Sequence, residues 1–263
     1  MPDAGASRDT VQLGPTEIDR CTMDEAVQAV MRLVAQGGPA LVVTPNVDHL
    51  VLLERDPEMA AAYGRASLRF ADGAPLVLLA RLLRTPLPER VAGVDLTMAV
   101  LRAAQRRSSR VFFFGGAPPV LDRAVERIRQ ELPRLRVAGA AAPDVELDTV
   151  TPGEREALVR IRAAAPDLLI VFLGAPKQEK WFWRRQDVLP RTVALAVGGT
   201  VDLLAGARHR APAWVQRAGL EWVWRLAQDP RRLAHRYLVR DRAFLGIAAR
   251  QLRGASGART TEG

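Results

Sequence analysis

Short apolar runs alternate along this chain with longer segments in which apolar residues recur at helical spacing. The short runs suit strands buried on both faces, and the segments between them are long enough to form crossover helices. This alternation predicts an α/β fold, with a Rossmann-like, mostly parallel sheet flanked by helices. The predicted strands are Leu41–Val43, Ser67–Ala71, Val111–Phe114, Leu135–Ala138, Leu168–Leu173 and Val193–Val197.

Two sequences of the capping-box type mark helix starts. Thr22 precedes Glu25 by three residues, and Thr151 precedes Glu154 by the same spacing, so each pair is able to satisfy backbone N–H groups reciprocally. They predict helices that extend to about Gln36 and Ala165. Further helices are predicted over 56–64, 74–83, 94–107, 118–132 and 178–186.

Small or polar residues follow five of the predicted strands. In a doubly wound sheet, ligands bind outside the carboxyl ends of the strands, and glycine there lets the backbone approach a ligand closely. The clusters together predict a nucleotide site, although glycine and proline also simply end strands. They are Thr44-Pro45-Asn46, Asp72-Gly73, Gly115-Gly116, Gly174-Ala175-Pro176 and Gly198-Gly199-Thr200.

Several polar residues in these clusters are candidates for chemistry. Asp72 is placed to accept a proton in the predicted cleft, or it forms an ordinary Asx turn with Gly73. Lys177 and Gln178 either bind phosphate and sugar or form a solvated first turn of a helix. Thr44 and Asn46 either contact a ligand or cap a turn.

Missing motifs narrow the reaction class. The chain has no G-x-G-x-x-G after a strand, no P-loop, no paired His/Cys spacing and no Asp-x-Asp. We therefore expect no metal and no cofactor, with arginines and helix N-termini stabilising a leaving diphosphate. Cys21 is the single cysteine, which excludes an intramolecular disulfide and favours a reducing compartment.

Positive charge is concentrated near the C-terminus. The chain has a net charge of +9, and residues 207–253 contain 11 arginines against three acidic residues. Arg232, Arg236 and Arg240 form a row at helical spacing beside aromatic and apolar residues. This pattern favours contact with an anionic membrane surface, or alternatively an apolar stripe packed on the main domain with the arginines solvated.

The predicted organisation is a catalytic α/β domain over 1–206, a basic amphipathic helical appendage over 207–253 and a disordered tail over 254–263. The absence of a long apolar run argues against a membrane-spanning helix, and the N-terminus does not have the pattern of a signal peptide. The basic segment also allows a nucleic-acid-binding protein, and the α/β pattern allows a nucleotide-dependent oxidoreductase.

Eight motifs in order resemble the WecG/TagA/CpsF glycosyltransferases, glycosyltransferase family 26. The similarity extends from about Arg20 to Phe244. Its markers are Thr44–Asn46, Ala71–Gly73, Glu89–Leu96, Phe112–Gly116, Pro166–Leu169, Leu173–Trp181, Val197–Asp202 and the pair Arg210–Trp214 with Gly219–Leu226.

The resemblance implies an inverting transfer from a UDP-sugar to a polyprenyl-diphosphate-linked sugar in cell-surface polysaccharide synthesis. It also implies a cytoplasmic protein that is peripheral to the inner face of the cell membrane. It implies Asp72 as the catalytic base, and it leaves open N-acetylmannosamine, its uronic acid or glucuronic acid as the sugar. It is compatible with a homo-oligomer and implies no nucleic-acid partner.

The resemblance also implies a set of substrate-binding residues. Arg225 and Arg232 match the family's diphosphate-binding arginines best, with Arg236 in reserve because His235 stands where a further arginine is expected. The uridine diphosphate is expected near Gly115, Gly116, Gly198 and Gly199. The remaining expected binding residues are Thr44, Asn46, Arg90, Gly174, Gln178 and Asp202.

Overall fold

The structure, a computed structural model, describes residues 8–212, 214–215, 221–228 and 242–260, except for the side chains of residues 222, 225 and 255–260. Strands β1 and β2 form an antiparallel hairpin, and the other six strands form one parallel sheet in the order β4-β3-β8-β7-β5-β6. The strands are β1 Thr10–Leu13, β2 Thr16–Asp19, β3 Ala40–Val43, β4 Leu68–Arg69, β5 Arg110–Phe114, β6 Arg136–Ala141, β7 Leu168–Val171 and β8 Val193–Ala196.

Helices connect the parallel strands, as the alternating pattern predicts, so the α/β fold class is confirmed. The described helices are α1 Met23–Gln36, α2 Val47–Leu53, α3 Pro57–Gly64, α4 Ala74–Leu82, α5 Gly93–Arg106, α6 Pro118–Glu131, α7 Pro152–Ala164, α8 Lys177–Arg185, α9 Thr200–Leu204, α10 Glu221–Gln228 and α11 Ala243–Thr260.

The sheet separates two apolar layers. Successive side chains on a strand point to opposite faces, so Phe112 and Phe114 of β5 pack on one layer while Val111 and Phe113 pack on the other. Helices α2, α3, α4, α7, α8 and α11 cover the first face, and α1, α5, α6 and α9 cover the second. Each large apolar side chain that is fully buried in these layers contributes about 1.5–3 kcal/mol.

The two predicted capping boxes behave differently. Around Thr22 the box is complete, because the Thr22 side chain accepts the Glu25 N–H and the Glu25 carboxylate accepts the Thr22 N–H. At the second position Thr151 accepts the Glu154 N–H at 3.1 Å, but the Glu154 carboxylate turns inward. There it accepts hydrogen bonds at 2.8 Å from the indole of Trp181 and from Arg185, so the prediction of a second box was wrong.

The final helix packs on the main domain. Phe244 and Ile247 of α11 join the apolar layer that contains α2. The Gln251 side chain accepts the Gly14 N–H at 2.8 Å and donates to the Gln12 carbonyl at 2.6 Å, which ties α11 to the β1–β2 hairpin. No helix in the described part of the chain is long and apolar enough to span a bilayer.

Near the C-terminus, one predicted boundary falls within a described helix and another is not tested by the structure. Helix α11 continues to Thr260, whereas the sequence predicts a disordered tail from residue 254. The physical reason is that extending an anchored helix adds one hydrogen bond per residue and avoids the cost of nucleation. The division into a catalytic domain and an appendage at residue 207 stays a prediction, as does the arginine row over 232–240, which lies outside the described residues.

An ion-pair cluster joins α3 to α8 and makes stability depend on pH. The carboxylate of Asp56 lies 2.5 Å from the Lys180 ammonium, and Glu58 pairs with Arg184. Hydrogen bonding to the Arg184 guanidinium holds the pKa of Glu58 below its ordinary value. The pKa of Asp56 is also lowered, because hydrogen bonds from Lys180 and from the N–H of Met59 outweigh desolvation.

Groups with a depressed folded-state pKa stabilise the fold above the unfolded pKa, and this contribution is lost as pH falls through the folded pKa. We therefore expect the free energy of unfolding, measured with urea, to fall below about pH 4. It should fall less steeply in Glu58→Gln. Glu156→Gln, which removes a charge from an exposed position of α7, is the control. Equal slopes in Glu58→Gln and the parent chain would contradict this role of the cluster.

Candidate active site

A cleft of about 300 Å³ opens where the carboxyl ends of β3, β4, β7 and β8 meet. Parallel strands present these ends at one edge of the sheet, so the polar clusters that follow them converge. The sequence-predicted residues that line the cleft are Thr44, Asn46, Asp72, Gly174, Gln178, Gly198 and Gly199.

Asp72 lies between the end of β4 and the start of α4. Its backbone N–H donates to the Pro45 carbonyl at 2.8 Å, which holds this loop beside the end of β3. Its Oδ2 atom accepts the N–H of Gly93, the first residue of α5, at 3.1 Å. Because the N-terminus of a helix carries the positive end of the helix dipole, this contact stabilises negative charge on the carboxylate.

Gly93 packs closely against two of the predicted site residues. A Cβ atom at this position would lie 3.1 Å from Thr44 Oγ1 and 3.5 Å from Asp72 Oδ2. Thr44 is itself buried. The start of α5 therefore contacts both side chains, and the absence of a side chain at residue 93 leaves them room.

Gln178 connects two strand ends. Its Oε1 atom accepts the Gly198 N–H at 2.9 Å, and its Nε2 atom donates to Glu179 at 2.9 Å. Since a backbone N–H is only a donor and a carboxylate accepts, these two contacts fix which end of the amide points where. Gln178 is thus rigidly placed in the cleft wall, whereas Lys177 turns away and donates to the Val145 carbonyl at 3.0 Å.

Three buried ionisable residues at or beside the cleft, Asp48, His49 and Glu179, were not among the predicted site residues. His49 lies in the first turn of α2, with Nδ1 2.9 Å from Asn46 Oδ1. Its Nε2 atom is 3.5 Å from Glu179 Oε1, and Glu179 is fully buried. The signal was available in part, because His49 follows the N-cap Asn46 at the spacing of a capping box.

Close backbone approach explains one of the predicted glycines. A Cβ atom on Gly198 would lie 3.1 Å from the Cα of Gly174, and the φ of Gly198 is +46°. A side chain here would press on the backbone that follows β7, and its Cβ atom would lie 3.5 Å from Gln178 Oε1. Gly198 thus serves the cleft through its lack of a side chain.

The structure places Gly115 and Gly116 apart from the cleft lining. A Cβ atom on Gly115 would lie 2.8 Å from Leu173 Cδ2, and one on Gly116 would lie 3.4 Å from Val201 Cγ1. Both residues have positive φ, at +92° and +81°. Tight packing at the end of β5 is thus a reason for glycine at both positions, and the contact with the uridine diphosphate that was expected of them stays a prediction.

The segment after α9 contributes another wall of the cleft, with Arg208, His209, Arg210, Trp224 and Gln228 among its lining residues. The Trp224 indole and the Gln228 amide both donate to the His209 carbonyl, at 3.1 and 2.9 Å. These bonds fasten α10 to the segment and place an indole ring at the cleft.

Arg210 brings a second guanidinium to the cleft beside that of Arg208. It forms a two-pronged ion pair with Asp95 in the first turn of α5. Hydrogen bonding to Asp95 raises the pKa of Arg210, and the charges of Glu221 and Asp72 act in the same direction. Arg210 is therefore a cation in the electrostatic neighbourhood of the predicted base.

The remaining predicted residues have mixed positions. Arg90 pairs with Glu221 at 2.7 Å, and Glu221 rather than Arg90 lines the cleft. Asp202 lies 3.4 Å from Arg208 in an ion pair. The side chain of Arg225 is not among those described, and Arg232, His235 and Arg236 lie outside the described residues. Among the described side chains, no group of three or more His, Cys, Asp or Glu is arranged to hold a metal ion.

Comparison with known proteins identifies the family. The model of the "Glycosyl transferase WecG/TagA/CpsF family" matches residues 11–257. The chain belongs to this family. It is therefore a glycosyltransferase, and membership favours the transferase over the nucleic-acid-binding and oxidoreductase alternatives.

Two curated relatives of this glycosyltransferase come from Bacillus. The protein of Bacillus spizizenii strain W23 is 32% identical over 197 residues, covering 75% of this chain and 74% of the relative. That of Bacillus subtilis strain 168 is 30% identical over 191 residues, covering 73% and 72%. Both are named N-acetylglucosaminyldiphosphoundecaprenol N-acetyl-beta-D-mannosaminyltransferase.

Gly93 offers a test of the cleft geometry. A methyl group in Gly93→Ala would press on Thr44 and Asp72, so we expect glycosyl transfer to fall about tenfold or more while the melting temperature changes little. Gly64→Ala is the matched control, because a Cβ atom there meets no atom within 4 Å. Equal transfer rates in the two variants would show that the fit between α5 and Asp72 is unimportant.

Proposed function

We propose that this glycosyltransferase moves an N-acetylmannosamine-type sugar from a UDP-sugar to a polyprenyl-diphosphate-linked N-acetylglucosamine. The reaction inverts the anomeric carbon, Asp72 acts as general base, and the product enters cell-surface polysaccharide synthesis. The observation that carries this proposal is the convergence of Asp72, Asn46 and Gln178 on one cleft at the strand ends.

The names of the two relatives support the acceptor and the sugar. Both specify an undecaprenyl diphosphate that carries N-acetylglucosamine, and both specify transfer of a β-linked N-acetylmannosamine. The two alignments cover about three quarters of this chain and of each relative. We therefore take the same classes of acceptor and sugar as the first candidates among those that the family resemblance leaves open.

In the proposed reaction the acceptor hydroxyl attacks the anomeric carbon from the face opposite UDP. Asp72 takes the proton of that hydroxyl as the new carbon–oxygen bond forms and the bond to the β-phosphate breaks, and UDP leaves with the electron pair. The N-terminus of α5 favours the ionised carboxylate that this step requires. A single displacement of this kind inverts the configuration at the anomeric carbon.

Arginines are proposed to stabilise the departing UDP. Arg208 and Arg210 are the described cations that line the cleft, and arginine forks match phosphate oxygens well. Arg225, Arg232 and Arg236 remain proposed contributors from the same C-terminal region. This assignment proposes a reaction without a metal ion, in which fixed cations offset the developing charge.

Replacing the base tests the mechanism. Positioned base catalysis contributes about 10²–10⁴-fold, so Asp72→Asn should lower the turnover number by that factor. Donor affinity, measured by calorimetry with UDP, should change little because the base acts on the acceptor. Asp122→Asn, on the exposed face of α6, is the charge-matched control. Near-normal turnover in Asp72→Asn would refute the assignment.

Membrane contact through the C-terminal region is also proposed, at the cytoplasmic face where the prenyl acceptor would be reached. Large apolar side chains are exposed there, with Trp214 65% and Leu245 69% exposed and Val223 also exposed. The concentration of arginines in the same region complements anionic headgroups.

Sedimentation with phosphatidylglycerol-containing vesicles tests this contact. The double variant Trp214→Glu with Leu245→Glu should lower the bound fraction about tenfold. It removes apolar contacts with the membrane and gives the protein two negative charges that the anionic headgroups repel. The matched control is Val159→Glu with Val188→Glu, which alters two exposed valines elsewhere. If both double variants sediment like the parent chain, this region does not contact the membrane.

A further inference from the structure

A series of hydrogen bonds, completed by one ion-pair contact, runs beneath the cleft from the end of β8 to the start of α2. The Gly198 N–H donates to Gln178, and Gln178 donates to Glu179, each at 2.9 Å. Glu179 Oε1 also faces His49 Nε2 at 3.5 Å, and His49 Nδ1 contacts Asn46 at 2.9 Å. The two amide side chains of the cleft are therefore joined to each other through a histidine and a glutamate.

Because Glu179 is buried, the loss of its contacts with Gln178 and His49 would cost free energy. Glu179 is fully buried, and His49, which lines the cleft, is 8% exposed. A buried carboxylate without compensating donors costs several kcal/mol, so Glu179 depends on the groups that reach it. The described residues that reach its Oε1 atom are Gln178 and His49.

The ring of His49 is held in one orientation. Asn46 Oδ1 accepts the backbone N–H of His49 at 3.4 Å, so this atom is the acceptor end of the amide, and His49 Nδ1 lies 2.9 Å from it. The alternative contact, from the Asn46 backbone N–H to Nδ1, is longer at 3.4 Å. Tyr63 of α3 packs on the other side, with its ring centre 6.2 Å from that of the imidazole.

We propose that His49 and Glu179 are positioning residues, a buried pair that sets the orientation of Asn46 and Gln178 for sugar binding. Asn46 is held from the α2 side and Gln178 from the α8 side, so one pair aligns both walls of the cleft. His49 and Glu179 would affect turnover only by positioning the Asn46 and Gln178 amides. This expected effect on turnover rests on the proposed function.

Conservative variants separate the two contacts. In His49→Asn the shorter side chain retains a donor near the Nδ1 position but falls short of Glu179. In His49→Gln a donor near the Nε2 position is retained and the Asn46 contact is lost. We expect each variant, and Glu179→Gln, to lower kcat/KM about 10- to 100-fold through misplacement of the amides.

The double variant His49→Gln with Glu179→Gln should have a kcat/KM no lower than that of the poorer single variant, because the two residues act as one unit.

A packing control distinguishes positioning from general destabilisation. Val51→Ala removes buried apolar atoms from the same helix without touching the hydrogen-bonded set. It should lower the melting temperature at least as much as His49→Gln while keeping kcat/KM within about twofold of the parent chain. His49 variants with parent-like kcat/KM, or losses that add in the double variant, would overturn the proposal.

A spectroscopic readout keeps this test independent of the proposed reaction. The chain has three histidines, so the ring nitrogen resonances of His49 are assigned by their loss in His49→Asn. Glu179→Gln should shift those resonances, and Glu156→Gln should not. Unchanged resonances in Glu179→Gln would refute the pair, whereas a shift in a chain that transfers no sugar would refute the proposed function and leave the pair intact.

Discussion

The parallel direction of six strands is the constraint on which the rest of this structure depends. Because every strand of the sheet runs the same way, the residues that follow β3, β4, β7 and β8 meet at one edge. The order of the strands in the sheet changes direction among these four strands. At such a point the connecting helices diverge and leave a crevice at the strand ends. Asp72, Asn46 and Gln178 come from three separate segments, and only this topology places them in one cleft.

At this edge of the sheet, hydrogen bonds fix the orientation of the polar side chains of the cleft, which apolar packing alone would not do. Gln178 is fixed by donors and acceptors at both ends, and the Asp72 carboxylate is fixed by the first N–H of α5. The energetic weight of these contacts comes from burial, since a buried polar group that loses its partner costs about 1–3 kcal/mol. Close approach of Gly198 to Gly174 completes the arrangement by letting the two strand ends touch.

Local pattern predicted much of this structure, and long-range contacts account for what it missed. The strand at Val111–Phe114 and the helix capped by Thr22 follow from neighbouring residues, as does the series of polar strand ends. The inward turn of Glu154 depends on Trp181, 27 residues away, and the pairing of Arg210 with Asp95 spans 115 residues. Sequence also does not show that Leu173 packs against Gly115, and the expected contact of Gly115 and Gly116 with the uridine diphosphate stays a prediction. The hairpin β1–β2 was missed although Val11, Leu13 and Ile18 alternate inward around the turn at Gly14.

A structure of the enzyme with UDP and a short-chain prenyl-diphosphate N-acetylglucosamine bound together would test the proposed mechanism most directly. We expect UDP at the ends of β7 and β8, with its diphosphate facing Arg208 or Arg210. We also expect an acceptor hydroxyl within about 3.2 Å of the Asp72 carboxylate. A nucleotide bound away from the ends of β7 and β8, or an acceptor hydroxyl held away from Asp72, would contradict this mechanism.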